Sequence, residues 1–197
     1  MENKKKILAI IVIFLVAAGL FAYFYKSSRE PKSFSYNGFK VYEVLKDSFN
    51  IEVFFANDPE PHYLSTRYNP KDLEYIEIEG DKIREDVLKN EIFIIMDPSH
   101  PNLTTKSVVA LVEISKVTSN KFLFNIPTTG AFTEKRGDNP VKYCKDVTKK
   151  TAIIWLKLSN QTRIYSDDGC VMVEGTDEDE LIKAGTKLTL KLLGVMK

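Results

Sequence analysis

Residues 91–126, EIFIIMDPSHPNLTTKSVVALVEISKVTSNKFLFNI, decide the fold class. Glu91 to Met96 is a short continuous apolar run closed by Asp97-Pro98, the pattern of a central strand buried on both faces, as in parallel sheets. Thr104 or Thr105 offers a helix cap, and Val108, Leu111, Val112 and Ser115 recur at helical spacing to about Thr118. Lys121 to Ile126, KFLFNI, reads as a second buried strand. Strand, helix and strand over this length fit a right-handed parallel crossover.

Upstream, Phe39 to Leu45 and Phe49 to Phe55 read as strands, close enough across Lys46-Asp47-Ser48 to form a hairpin. Proline and asparagine mark residues 57–70 as a loop. Tyr75 to Ile78 reads as a short strand, and Asp81 as the cap of a helix running to Lys89. Downstream, Pro127 to Tyr143 reads as a long loop and Thr151 to Leu158 as a strand. Thr162 to Tyr165 and Cys170 to Val173 form a hairpin about Asp168-Gly169, a strong turn dipeptide. Thr176 to Asp179 has the form of a capping box, opening a helix to Leu193 with Leu181, Ala184, Leu188 and Leu192 inward and Gly194 at its end. Strands first, then alternating strand and helix, predict an α/β sandwich with a mixed, partly parallel sheet.

The chain also carries an uncharged run of nineteen residues, Ile7 to Tyr25, behind Lys4, Lys5 and Lys6. As a helix it would extend roughly 28 Å, close to the ~30 Å hydrocarbon core of a bilayer. Val16-Ala17-Ala18 would suit cleavage of a secretory signal, whereas continuation of the run through Phe24 and Tyr25 favours a retained anchor. The expected organisation is a cytoplasmic tip at 1–6, a span at 7–25, a juxtamembrane linker at 26–37 and one extracytoplasmic domain at 38–197. This places a single-pass protein in the cell membrane with its N-terminus inside and its domain outside.

Lys and Arg total 28 against 27 Asp and Glu, so no basic field exists to hold nucleic acid. Two cysteines, Cys144 and Cys170, suit a disulfide in an oxidising compartment, the alternative being two buried thiols. Asn102-Leu-Thr104 and Asn160-Gln-Thr162 are glycosylation sequons.

The segment Cys144 to Gly194 joins Cys144-Lys145-Asp146, an apolar strand, Gly169-Cys170-Val171-Met172-Val173-Glu174-Gly175, and Leu181-Ile182-Lys183-Ala184 leading to Lys191-Leu192-Leu193-Gly194. It resembles the C-terminal part of uncharacterised single-pass membrane-anchored proteins of archaeal genomes. Gly185-Thr186 departs from the small residue and aspartate of that group. The resemblance implies an archaeal cell-envelope protein with a bonded cysteine pair, and implies no activity.

Ligands of open α/β sheets bind beyond the carboxyl ends of parallel strands. Asp97-Pro98-Ser99-His100 follows the first such strand and Pro127-Thr128-Thr129 the second. Asp97 and His100 are therefore candidates for an acid/base pair, with Ser99, Thr128 and Thr129 as ligand-binding donors and residues 127–143 as a lid. The competing view makes Asp97-Pro98 a turn and His100 a solvated side chain. With two histidines, no C-x-x-C, no phosphate loop, no dinucleotide fingerprint and no G-x-S-x-G elbow, neither a metal nor a cofactor is called for. Arg136-Gly137-Asp138 reads as a turn, and Asp177 to Glu180 as a solvated helix start. The expected function is non-enzymatic binding of a small ligand or an envelope protein. The alternative is an envelope hydrolase acting through Asp97 and His100.

Overall fold

The computed structural model describes residues 12–21, 32–45, 48–55 and 58–196. The chain divides into two compact units, Met1–Ser33 and Phe34–Lys197. In the first, residues 12–21 are helical and exposed. No helix among the described residues is long and apolar enough to cross a membrane. The remainder of the expected span, 7–11 and 22–25, lies outside the described residues, as do the tip 1–6 and residues 26–31 of the linker.

The strands form two sheets. The first is a meander of β1 (Lys32–Tyr36), β2 (Phe39–Leu45), β3 (Ser48–Phe55) and β4 (Asp58–Thr66), in that order. The second contains β5 (Glu77–Glu79), β6 (Glu91–Met96), β7 (Thr128–Phe132), β8 (Thr151–Leu158), β9 (Arg163–Asp167) and β10 (Cys170–Gly175), arranged β5-β9-β10-β8-β6-β7. Strands β7, β6, β8 and β10 run parallel, and β9 turns back antiparallel to β10 through Asp168 (φ 47°) and Gly169 (φ 81°). The expected α/β class and mixed sheet are present.

Among the described residues of this unit the α-helices are α1 (Ile83–Val87), α2 (Val108–Thr118) and α3 (Glu178–Leu192). Helix α3 is buried almost all round, from Leu181 and Ile182 through Ala184–Leu190 to Leu192. A helix apolar on one stripe needs one neighbour, and one buried on every side needs several. Ile92, Ile94, Ile154, Leu156, Val171 and Val173 of the second sheet share its core, as do Tyr36, Val41, Ile51 and Val53 of the first. Two close approaches hold α3 in place. A Cβ on Gly185 would lie 3.2 Å from the Ala110 carbonyl of α2, and one on Gly175 would lie 2.2 Å from the Leu181 nitrogen, so β10 passes into α3 only with glycine there.

The structure corrects the sequence reading at several elements. Residues 32–36, assigned to the linker, form β1, paired with β2 through Asn37 (φ 48°) and Gly38 (φ 87°). Residues 58–66, read as loop, form β4; it is the sheet's edge, and Pro59 and Pro61 fall where the register shifts between Val53 and Phe55, which is where prolines are tolerated. Lys121 to Ile126 is not a strand. The Asn120 side chain accepts the Phe122 N–H at 2.9 Å, Asn125 adopts φ 51°, and the second strand of the crossover is β7, two residues later and inside the expected loop. Helix α1 begins after Lys82 without a side-chain cap, and α3 is capped by Asp177, which accepts the Glu180 N–H at 2.9 Å, one residue beyond the expected Thr176.

Candidate functional site

The register of β6 and β7 decides which candidates meet. Ile92 pairs with Thr128, Phe93 with Thr129 and Met96 with Phe132, and the Thr133 N–H donates to the Met96 carbonyl at 3.1 Å. Thr128 and Thr129 therefore open β7, whereas Asp97, Ser99 and His100 follow the end of β6. The two groups sit at opposite ends of the strand pair, which corrects the shared site expected from the sequence. Thr128 instead holds the end of α2, its hydroxyl 2.8 Å from that of Thr118. Thr129 is exposed on the edge strand.

Beyond the carboxyl ends of β6 and β7 lies an open groove of about 670 Å³. Met96, Leu103, Val108 and Phe132 make its apolar walls, while Asp97, Thr104, Arg136 and Asn139 supply polar groups. Asp97 accepts both the Ser99 N–H (3.0 Å) and the Ser99 hydroxyl (2.7 Å). These bonds hold its carboxyl below the ordinary value, so it remains ionised. His100 Nδ1 accepts the Asn102 N–H at 3.3 Å, and Ser99 and Asn102 are exposed. Asp97 and Ser99 thus close a local turn.

Arg136, read as part of a turn, reaches the groove and donates to the Pro98 carbonyl at 3.3 Å, while Asn139 donates to the Arg136 carbonyl at 3.2 Å. Nothing local marked this role, because it depends on where β6 and the 133–143 segment meet.

On another side, the start of α2 meets the start of α3. The Glu178 carboxylate accepts the N–H groups of Thr104 (2.7 Å) and Ser107 (3.1 Å) and both their hydroxyls. Burial raises its carboxyl, but the hydrogen bonds from Ser107 and Thr104 outweigh that and leave it below the ordinary value. Asp179 pairs with Lys106 at 2.7 Å, and Glu180 accepts from Tyr75 (2.5 Å) and Lys183 (2.7 Å). Residues 177–180, expected to be a solvated helix start, are each engaged. Among the described residues no three His, Cys, Asp or Glu side chains gather to hold a metal ion.

On the sheet face away from α3, Cys144 and Cys170 are joined by a disulfide of 2.06 Å, packed with Ile153, Trp155 and Met172. Glu174 of β10, 2 % exposed, sits between Lys157 (2.8 Å) and Arg163 (2.9 Å) and accepts from Tyr165 at 3.1 Å. Arg163 also pairs with Glu79 at 3.2 Å, so two carboxylates meet two cations in a structural knot. Asn102 and Asn160 are exposed, as an acceptor asparagine must be.

Compared with known protein families, with curated proteins and with solved structures, the chain gives no match.

Proposed function

We propose that this protein is a membrane-tethered, extracytoplasmic domain of the cell envelope that binds, without chemical turnover, a small molecule or a short segment of an envelope protein. In this reading residues 7–25 span the membrane, and the cysteine pair suits the oxidising side. The observation that carries it is the groove at the carboxyl edge of β6 and β7. Its walls are apolar, and its polar groups are already spoken for: Asp97 by Ser99, Thr104 and Ser107 by Glu178, Arg136 by the Pro98 carbonyl. Groups held in this way orient a ligand and are poor bases or nucleophiles. A hydrolase acting through Asp97 and His100 finds less support, since each of the two is bonded within its own turn.

A thermal-shift screen of the full chain against small envelope metabolites and short peptides tests the proposal. Binders should raise Tm, and Phe132→Glu should abolish the rise. Binders indifferent to Phe132→Glu, or hydrolysis of any of them, would overturn it.

A further inference from the structure

Among the described residues, the side chains lining the groove include two that carry charge, and their signs are opposite: Asp97 and Arg136. Each is held by a neighbour instead of by the other. Ser99 places both of its hydrogen bonds on Asp97 Oδ1, which leaves Oδ2 out of the turn. Arg136 gives the Pro98 carbonyl one of the five N–H donors of a guanidinium, and Asn139 fixes its backbone by donating to its carbonyl. Among the described residues no ion pair joins Arg136 to Asp97.

Pro98 follows Asp97 directly, and consecutive Cα atoms lie about 3.8 Å apart. The guanidinium that reaches the Pro98 carbonyl therefore borders the same corner of the groove as the carboxylate. Two opposite charges kept side by side but unpaired select against an ion of either sign, since an anion would meet Asp97 and a cation would meet Arg136. An uncharged ligand would cover both and leave them without partners. A molecule with one charge of each sign satisfies both. The walls add a second requirement. Met96, Val108 and Phe132 are apolar, and Val108 is 42 % exposed, so an apolar body against them removes that surface from water.

We propose that the groove binds a small apolar zwitterion, an amino acid or a dipeptide, with its ammonium on Asp97, its carboxylate on Arg136 and its side chains against Val108 and Phe132. The inference rests on the groove reading given above and names its ligand. Amino acid and dipeptide share this chemistry and differ in how far apart they carry the two charges.

The full chain in detergent is titrated calorimetrically with leucine and with leucyl-leucine, each also as its N-acetyl and C-amide derivatives. Saturable binding of a parent compound is expected, the tighter of the two identifying the source. Acetylation or amidation should weaken it at least tenfold, about the worth of one charged hydrogen bond. Arg136→Gln should erase the penalty of amidation. Asp97→Asn should retain the ligand at reduced affinity and erase the penalty of acetylation, and Phe132→Glu should abolish binding. Derivatives that bind as tightly as their parents, still dependent on Phe132, overturn the zwitterion and leave the groove reading standing. An amidation penalty that survives in Arg136→Gln overturns the carboxylate's placement. Failure of both parents to bind overturns the zwitterion, while other binders sensitive to Phe132→Glu would keep the groove. Binding that Phe132→Glu leaves undisturbed overturns both.

Discussion

The carboxylate of Glu178, in the first turn of α3, accepts the backbone N–H of Thr104 at 2.7 Å, so one side chain ties together the starting turns of two helices. The first N–H groups of a helix have no partner within it, and a negative charge there is favoured by the helix dipole. Glu178 also accepts the Ser107 N–H, so it borders the groove as a brace rather than as an acid.

Glu178→Ala should therefore destabilise the domain by about 1–2 kcal/mol, the usual worth of a lost helix cap. Its folded value lies below the ordinary 4.5, so the contribution is present above pH 4.5 and is lost as pH falls through the folded value. Urea unfolding of wild type and variant should show the gap closing in acid. A constant gap would mean that Glu178 acts through packing alone.

Lys187 presents a second test. It is 5 % exposed on α3, and its ammonium donates to the carbonyls of Leu73 (3.0 Å), Glu74 (3.2 Å) and Ile76. Lys187→Met strands these acceptors and should cost about 3 kcal/mol by denaturant unfolding. Burial holds the folded amine below its ordinary 10.5, so the unfolded chain keeps a proton that the folded one releases. Stability from this group therefore rises as pH climbs through the folded value toward 10.5, and Lys187→Met should flatten that rise.

The Cys144–Cys170 bridge has a sequence separation of 26. On the chain-entropy view, closing such a loop contributes about 3–4 kcal/mol. The double variant Cys144→Ser, Cys170→Ser should lower the unfolding free energy by that amount, and a reductant should lower that of the wild type similarly while leaving the variant unmoved. A variant as stable as wild type would mean that packing against Met172 and Trp155 suffices.

Asp97→Asn separates binding from chemistry. Asparagine can still accept from Ser99, so Tm should move little, within about 1 kcal/mol of stability, and any ligand of the groove should be retained. Turnover of an envelope substrate by wild type that disappears in Asp97→Asn would instead establish the acid role that the turn geometry argues against.

The elements legible in the sequence are those whose signal is local. Glu91–Met96, Thr151–Leu158 and Phe39–Leu45 run as strands with the expected bounds, Asp168-Gly169 turns the hairpin, and Leu181, Ala184, Leu188 and Leu192 face the core, because apolar period and turn chemistry are properties of a few adjacent residues. Strand β1 was read as linker, although Asn37-Gly38 between Phe34, Tyr36 and Phe39, Val41 carries a hairpin signal of the same local kind. Other features depended on distant partners. KFLFNI has the apolarity of a strand but bends between Asn120 and Asn125, while the less apolar Thr128–Phe132 finds β6. That shift decided the site: in a parallel pair it sets Thr128 and Thr129 at the end opposite Asp97, and it leaves Arg136 to reach the groove. The work of Glu178 and Lys187 was equally hidden, because a side chain's hydrogen-bond partners across 70 or more residues exist only once the helices and sheets have packed. Composition and pattern determined which segments would be buried, and tertiary register decided which residues would meet.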